Sequence, residues 1–142
     1  MKQLVTNQKE RVGDWVAKQV NRQSSWGAQD SFQAIGLEEN EELIAGMVVE
    51  GYVKNARCVV HLAGVGKRWL NKEYLFSCCD YMFNQMGCKV VIGLVDADNE
   101  KAMKFDTHFG FVEVARIKDG AGDCDLVILE LRKENCRWLA RR

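Results

Sequence analysis

The chain contains no proline, so nothing in its 142 residues carries the ring that breaks helices and marks stiff linkers. It has no low-complexity stretch and no internal repeat either. Without such punctuation no boundary is drawn, and residues 1–142 are read as a single domain, long enough to bury one substantial core. An excess of either charge is also missing, because 20 basic residues balance 20 acidic ones. A balanced chain lacks the electrostatic footprint of a nucleic-acid or membrane-surface binder. Long apolar runs are absent: "LIAGMVV" is far short of a membrane span, and "MKQLVTNQKE" has no signal-peptide centre. The expected location is cytoplasmic.

Paired cysteine spacing is absent too. Cys58, Cys78, Cys79, Cys88, Cys124 and Cys136 include no CxxC, and most sit in apolar segments. They read as free thiols that behave as small buried hydrophobes in a reducing compartment. Zinc sites need paired ligand spacing, which neither His61 nor His108 forms with these cysteines, so no metal is expected.

What remains is ordinary globular composition, 47% apolar and 28% charged. Asn7 and Glu10 have the spacing of a capping box, and Val12, Trp15, Val16 and Val20 then mark one helical face. "NRQSSWGAQD" reads as loop. Two apolar runs flank "EENEE" and a third follows "KN", which predicts three antiparallel strands at about residues 31–37, 42–53 and 56–63. His61 falls near the end of the third.

Leu75, Cys78, Cys79, Met82, Phe83 and Met86 form the buried stripe of a helix over about 71–86, stopped by Gly87. The unbroken apolar run "KVVIGLV" predicts a strand covered on both faces. A helix from Asn99 to Phe109 ends at Gly110, and "FVEVARI" and "DLVILEL" are strands around a turn-rich stretch. The fold class is α/β (α+β), with a mixed, mostly antiparallel sheet and flanking helices. Its parallel pairing falls where helix 71–86 crosses over.

In this order of elements, Asn99, Ala102, Phe105, Gly110 and Phe111 stand at the offsets of the N-x-x-A-x-x-L-[Y]-x-x-x-G-F pattern. The chain thereby resembles the GCN5-related N-acetyltransferases (GNAT superfamily) from about residue 9 to 132. "VHLAGVGKRWLNKEYL" and "CRWL" are also similar to small GNAT-like proteins carried by phages.

The resemblance implies a splayed parallel strand pair ending near Leu62–Ala63 and Leu94–Val95. Acetyl-CoA is the implied cosubstrate, with its pantetheine arm in the gap. The pyrophosphate would sit on the next helix N-terminus, where free N–H groups and the dipole favour anions. The family's phosphate loop aligns with "KRWLNK": Lys67, Arg68, Trp69, Leu70, Asn71 and Lys72. Leu70 and Lys72 replace its small residues, and basic side chains would supply the charge instead. Shifting to "GVGKRW" restores glycines but lengthens the loop. Asn99, Ala102 and Phe105 join the implied cofactor contacts.

The implied reaction is direct attack by an amine, on a small molecule or a protein, on the thioester. His61 titrates near neutrality and is the candidate base, with Glu50 acting beside it or through water. A backbone N–H near Ala63 would polarise the carbonyl. Asp106 stands where many members keep a tyrosine acid. With an aspartate's usual pKa of about 3.9 it would be ionised at neutral pH and unable to donate. Two readings stand: an acid whose pKa burial has raised, or a solvated helix residue. A non-enzymatic GNAT-fold binder of acyl-CoA or of a protein partner is the alternative function. The tail, with Arg132, Arg137, Trp138, Leu139, Arg141 and Arg142, reads as a packed or frayed end more than as a nucleic-acid contact. A homodimer, the commonest closed assembly, is left open.

Overall fold

The computed structural model describes residues 1–20, 22, 24–27, 31–67, 69 and 71–139. Arg68, Leu70, Arg141 and Arg142, singled out above, lie outside them. The chain runs through β1 (Lys2–Val5), α1 (Lys9–Gln19), β2 (Phe32–Glu39), β3 (Glu42–Val53) and β4 (Arg57–Gly64). It continues through α2 (Lys72–Cys79), β5 (Val90–Asp96), α3 (Glu100–Phe109), β6 (Val112–Ile117) and β7 (Leu126–Arg132). One mixed sheet forms in the order β1-β2-β3-β4-β5-β7-β6, and only β4 and β5 pair in parallel. No helix among the described residues is long and apolar enough to cross a membrane.

The meander lies where the pattern places it. Asn40 and Glu41 both take positive φ between Glu39 and Glu42, the geometry that lets a two-residue turn match the twist of its strands. β3 is buried from Ile44 to Val49, because α1 covers one face of the sheet while α2 and its continuation cover the other. The helix after β4 also follows its stripe, with Leu75, Cys78, Cys79, Met82 and Phe83 buried. Its second half, Asp80–Gln85, is wound as a π-helix, and Gly87 ends it at a φ of +73°.

Three expectations need correction. The chain starts with a strand, β1, whose four residues are too few to show an alternation but which pairs in full with β2. Gln8 precedes α1 as its cap and makes no side-chain capping bond, so Asn7 and Glu10 form no capping box. Asn7 falls one residue before the cap, in the short link between β1 and α1. β5 is covered on one face rather than two: Val91, Gly93 and Val95 are buried while Leu94 is 43% exposed.

α1 lies close on the sheet because two glycines face it. Gly36 and Gly46 are paired across β2 and β3. A Cβ on Gly46 would stand 2.6 Å from Val16 Cγ2, and one on Gly36 would stand 2.9 Å from Val12 Cγ2. Valine is stiff about χ1 and cannot swing clear.

The parallel pair is short. β4 and β5 match only at Arg57–Val90, Cys58–Val91 and Val59–Ile92. Beyond that point β4 stays paired to β3 as far as Gly64, and β5 stays paired to β7 as far as Asp96. The two strands therefore splay, each held by its outer neighbour. Gly46→Ala should destabilise the protein by about 1–3 kcal/mol through overpacking against α1, read as a lower melting temperature in a circular-dichroism scan. An unchanged melting point would mean that α1 sits further from the sheet than described.

Candidate active site

A cavity of about 280 Å³ opens where β4 and β5 part. Val60, His61 and Leu62 line it from β4, and Leu94, Val95 and Asp96 from β5. Asn99, Ala102 and Asp106 close it from α3, and Val20 and Arg22, beyond the end of α1, close the remaining side. A smaller hollow of about 40 Å³ shares Leu62, Asn99 and Ala102 and reaches Ala63, Gly64 and Phe105. The splay thus leads along the β4 edge, where Val60 to Gly64 have no strand partner on the β5 side.

Antiparallel register brings the two candidate base residues together. Val48 is opposite His61 and Glu50 is opposite Val59, so Glu50 and His61 are diagonal neighbours on one face. His61 Nε2 lies 2.6 Å from Glu50 Oε2. A carboxylate only accepts, so Nε2–H donates and the lone pair is left on Nδ1. Burial pulls the His61 pKa below its usual 6.5; Glu50 opposes this through its hydrogen bond and charge, and Arg22 adds to the lowering. The imidazole is therefore neutral at physiological pH, with a carboxylate beside it to stabilise the cation formed on proton uptake.

Asp106 sits on the inward face of α3 and is only 9% exposed. Among the described residues no hydrogen bond or ion pair reaches its carboxylate, and burial pushes its pKa up to about 7. The solvated-helix reading is overturned by that burial. Asn99 and Ala102 act on each other: the Asn99 side chain accepts from Ala102 N–H at 3.1 Å and caps α3. Ala102, small enough to leave both hollows open, borders each of them.

No protein-family model and no curated protein matches the sequence. Solved structures do. Spermidine N-acetyltransferase SpeG from Vibrio cholerae, in a mutant form, superposes with a TM-score of 0.72 at 13% identity, over 99% of this chain and 97% of its own. SpeG in complex with manganese ions gives 0.72 at 14% identity, over 99% and 96%. A protein described as a probable acetyltransferase gives 0.60 at 18% identity, over 73% of this chain and 62% of its own. The fold is that of the GCN5-related N-acetyltransferases.

Within this acetyltransferase fold, the segment matched to the phosphate loop does not converge on one point. Lys67 and Lys72 are exposed, whereas Trp69 turns into the core. Its indole stacks on Phe105 with ring centroids 4.1 Å apart and meets His108 edge-on. Gly64 makes room for it, since a Cβ there would lie 2.5 Å from Trp69 Cγ. Asn71 caps α2, its side chain accepting from Tyr74 N–H at 2.9 Å. The described part of the tail is packed: Trp138 Nε1–H donates to the Phe109 carbonyl at 2.7 Å, and Arg137 donates to the carbonyl of His108.

Sequence reasoning passed over Arg22, Trp26 and Asp96. Leu94 was named only as the end of the splayed strand, and Asp96 carries no motif. Arg22 and Trp26 fall in a stretch read only as loop; a lone tryptophan among polar residues was the one available signal. Trp26 is 2% exposed, and its ring lies 5.0 Å from the His61 imidazole, centroid to centroid.

The raised pKa of Asp106 has a thermodynamic consequence. Unfolded, the group titrates near 3.8; folded, near 7. Between those values the native protein keeps a proton that the unfolded chain has lost, so stability falls as pH rises through the window. The penalty is complete above about pH 7 and amounts to at most about 4 kcal/mol at 1.36 kcal/mol per pKa unit. Asp106→Asn should therefore raise the melting temperature clearly at pH 8 and little at pH 4. An equal shift at both would show that the carboxyl titrates normally.

Proposed function

We propose that this protein is an N-acetyltransferase that moves an acetyl group from acetyl-CoA to an amine by direct attack. The observation that carries this reading is the β4–β5 splay opening onto a cavity that holds both a carboxylate-backed histidine and a protonatable aspartate. The residues present fit the acyl-pantetheine portion: the backbone edge from Val60 to Gly64 lacks a ladder partner, and Leu62 and Ala63 lie on it. Unpaired strand edges bind extended, amide-bearing groups readily. At the α2 end, Lys67, Asn71 and Lys72 would face the phosphates. The Asn71 carboxamide already occupies the Tyr74 N–H there, and Glu73 adds negative charge to the first turn.

When bound, acetyl-CoA supplies a thioester whose carbonyl carbon the amine attacks, with loss of the CoA thiol. His61 takes the amine proton, and Glu50 orients the ring and stabilises the imidazolium. Asp106 holds a proton at the cavity wall below about pH 7, available to the departing sulfur. The N–H groups near Ala63 are the candidate donors to the carbonyl oxygen.

The inward-turned Trp69 and the glycine-poor loop favour a second reading, a GNAT-fold protein that binds without transferring. Calorimetry with acetyl-CoA separates the two only in part, because a silent titration at high micromolar ligand would reject the transferase. If heat is released, thiol production with a working amine decides. His61→Ala should lower it by about 100-fold or more, the usual size of general-base catalysis, and Glu50→Ala should lower it by less. Equal rates in wild type and both variants would remove the base assignment. The wild-type rate should also decline above about pH 7, as Asp106 ionises, and Asp106→Asn should show a lower but flatter profile. A wild-type rate still climbing at pH 9 would exclude Asp106 as the acid.

A further inference from the structure

At one side of the cleft, two hydrogen-bond donors stand without a side-chain acceptor among the described residues, one lining the cavity and one buried behind it. Arg22 lines the cavity that holds His61 and Asp106. Its guanidinium lies over the Trp26 ring, 3.9 Å from the centroid. That indole is itself wedged between Phe32 and the His61 imidazole, with centroid distances of 6.1 and 5.0 Å. The arginine is thus settled on the same buried ring that abuts the candidate base. Among the described residues no carboxylate pairs with Arg22. Trp26 Nε1–H, fully buried, has no hydrogen-bond partner among them either. A buried donor left unsatisfied is costly, and a guanidinium presents a planar fork that matches a carboxylate with two parallel bonds.

We propose that the acceptor amine also carries a carboxylate, and that Arg22, seated on Trp26, recognises it. The inference rests on the transferase reading of the same cleft. The cleft contains both signs of charge, as a zwitterion requires: Arg22 on one side, Asp96 on another, and Glu50 behind His61. The amine belongs at the His61–Glu50 pair and the carboxylate at the guanidinium. The influence of Arg22 on His61 fits the same picture, since the arginine's charge contributes to holding the imidazole neutral. A polyamine would bring a second ammonium toward this guanidinium, and like charges in a partly dehydrated cleft repel strongly. The acceptor class is therefore distinct from the spermidine named for the SpeG structures.

Matched pairs test this directly, because lysine and cadaverine differ only by the carboxylate, as do ornithine and putrescine. With acetyl-CoA and thiol detection, kcat/KM for each amino acid should exceed that of its diamine by at least about tenfold, the size of one charge-assisted contact. Arg22 is exposed, so replacing it leaves the core in place. In Arg22→Gln the ratio should collapse toward one, and Arg22→Lys should recover part of it by keeping charge without the fork. Diamines that match or beat the amino acids, or a ratio unchanged in Arg22→Gln, would overturn the inference. A second arm needs no turnover. Nuclear magnetic resonance of the His61 ring, titrated with Nε-acetyllysine and with N-acetylcadaverine, should show a shift for the first alone, lost in Arg22→Gln. No perturbation by either at millimolar concentration also overturns it. A protein that passes this arm but gives no heat with acetyl-CoA would lose the transferase reading and keep the carboxylate site.

Discussion

Three backbone pairs, ending at Val59 and Ile92, join β4 to β5, and past them each strand follows its outer neighbour. β3 holds β4 straight to Gly64 while β7 holds β5 to Asp96, so the gap is framed by two complete antiparallel ladders. The gap leaves a run of β4 backbone in need of partners at the place where side chains from β4, β5 and α3 converge. The cavity, its unpaired edge and the placement of His61 all descend from that parting of strands.

Burial acts on the two titrating groups in opposite directions, with one result. It lowers the pKa of His61 and raises that of Asp106, which favours the neutral form of each near pH 7. A neutral imidazole can take a proton and a neutral carboxyl can give one. Glu50 distinguishes the two, because among the described residues only His61 has a carboxylate within hydrogen-bond reach. Environments that push two groups toward complementary tasks are a recurrent way to run acid and base chemistry in one site. The aspartate that looked like the weak point of the acetyltransferase pattern is compatible with it once the burial of its carboxyl is known.

Much of the architecture was legible because it is written in short-range periodicity. The meander, the stripe from Leu75 to Phe83 and the α3 stop at Gly110 follow from local apolar spacing and turn chemistry. The misreadings share a cause. β1 exists only through its pairing with β2, more than 30 residues away. The run "KVVIGLV" looks uniformly buried in one dimension, yet Leu94 faces the splay, which no local pattern announces. Trp69 fell within a loop aligned to phosphate binding, but Gly64 opposite it and Phe105 on α3 provide an aromatic niche that draws it inward.

The amino-acid order by itself determined the element sequence from α1 onward, the mixed sheet and the candidacy of His61, Glu50 and Asp106, because periodicity and motif offsets are properties of neighbours along the chain. Only the tertiary structure decided that Glu50 touches His61, that Asp106 is buried, and that Trp26 lies against both His61 and Arg22. Those facts depend on strand register and on which surfaces exclude water. Both are set by contacts between residues far apart in sequence, and local spacing carries no record of them.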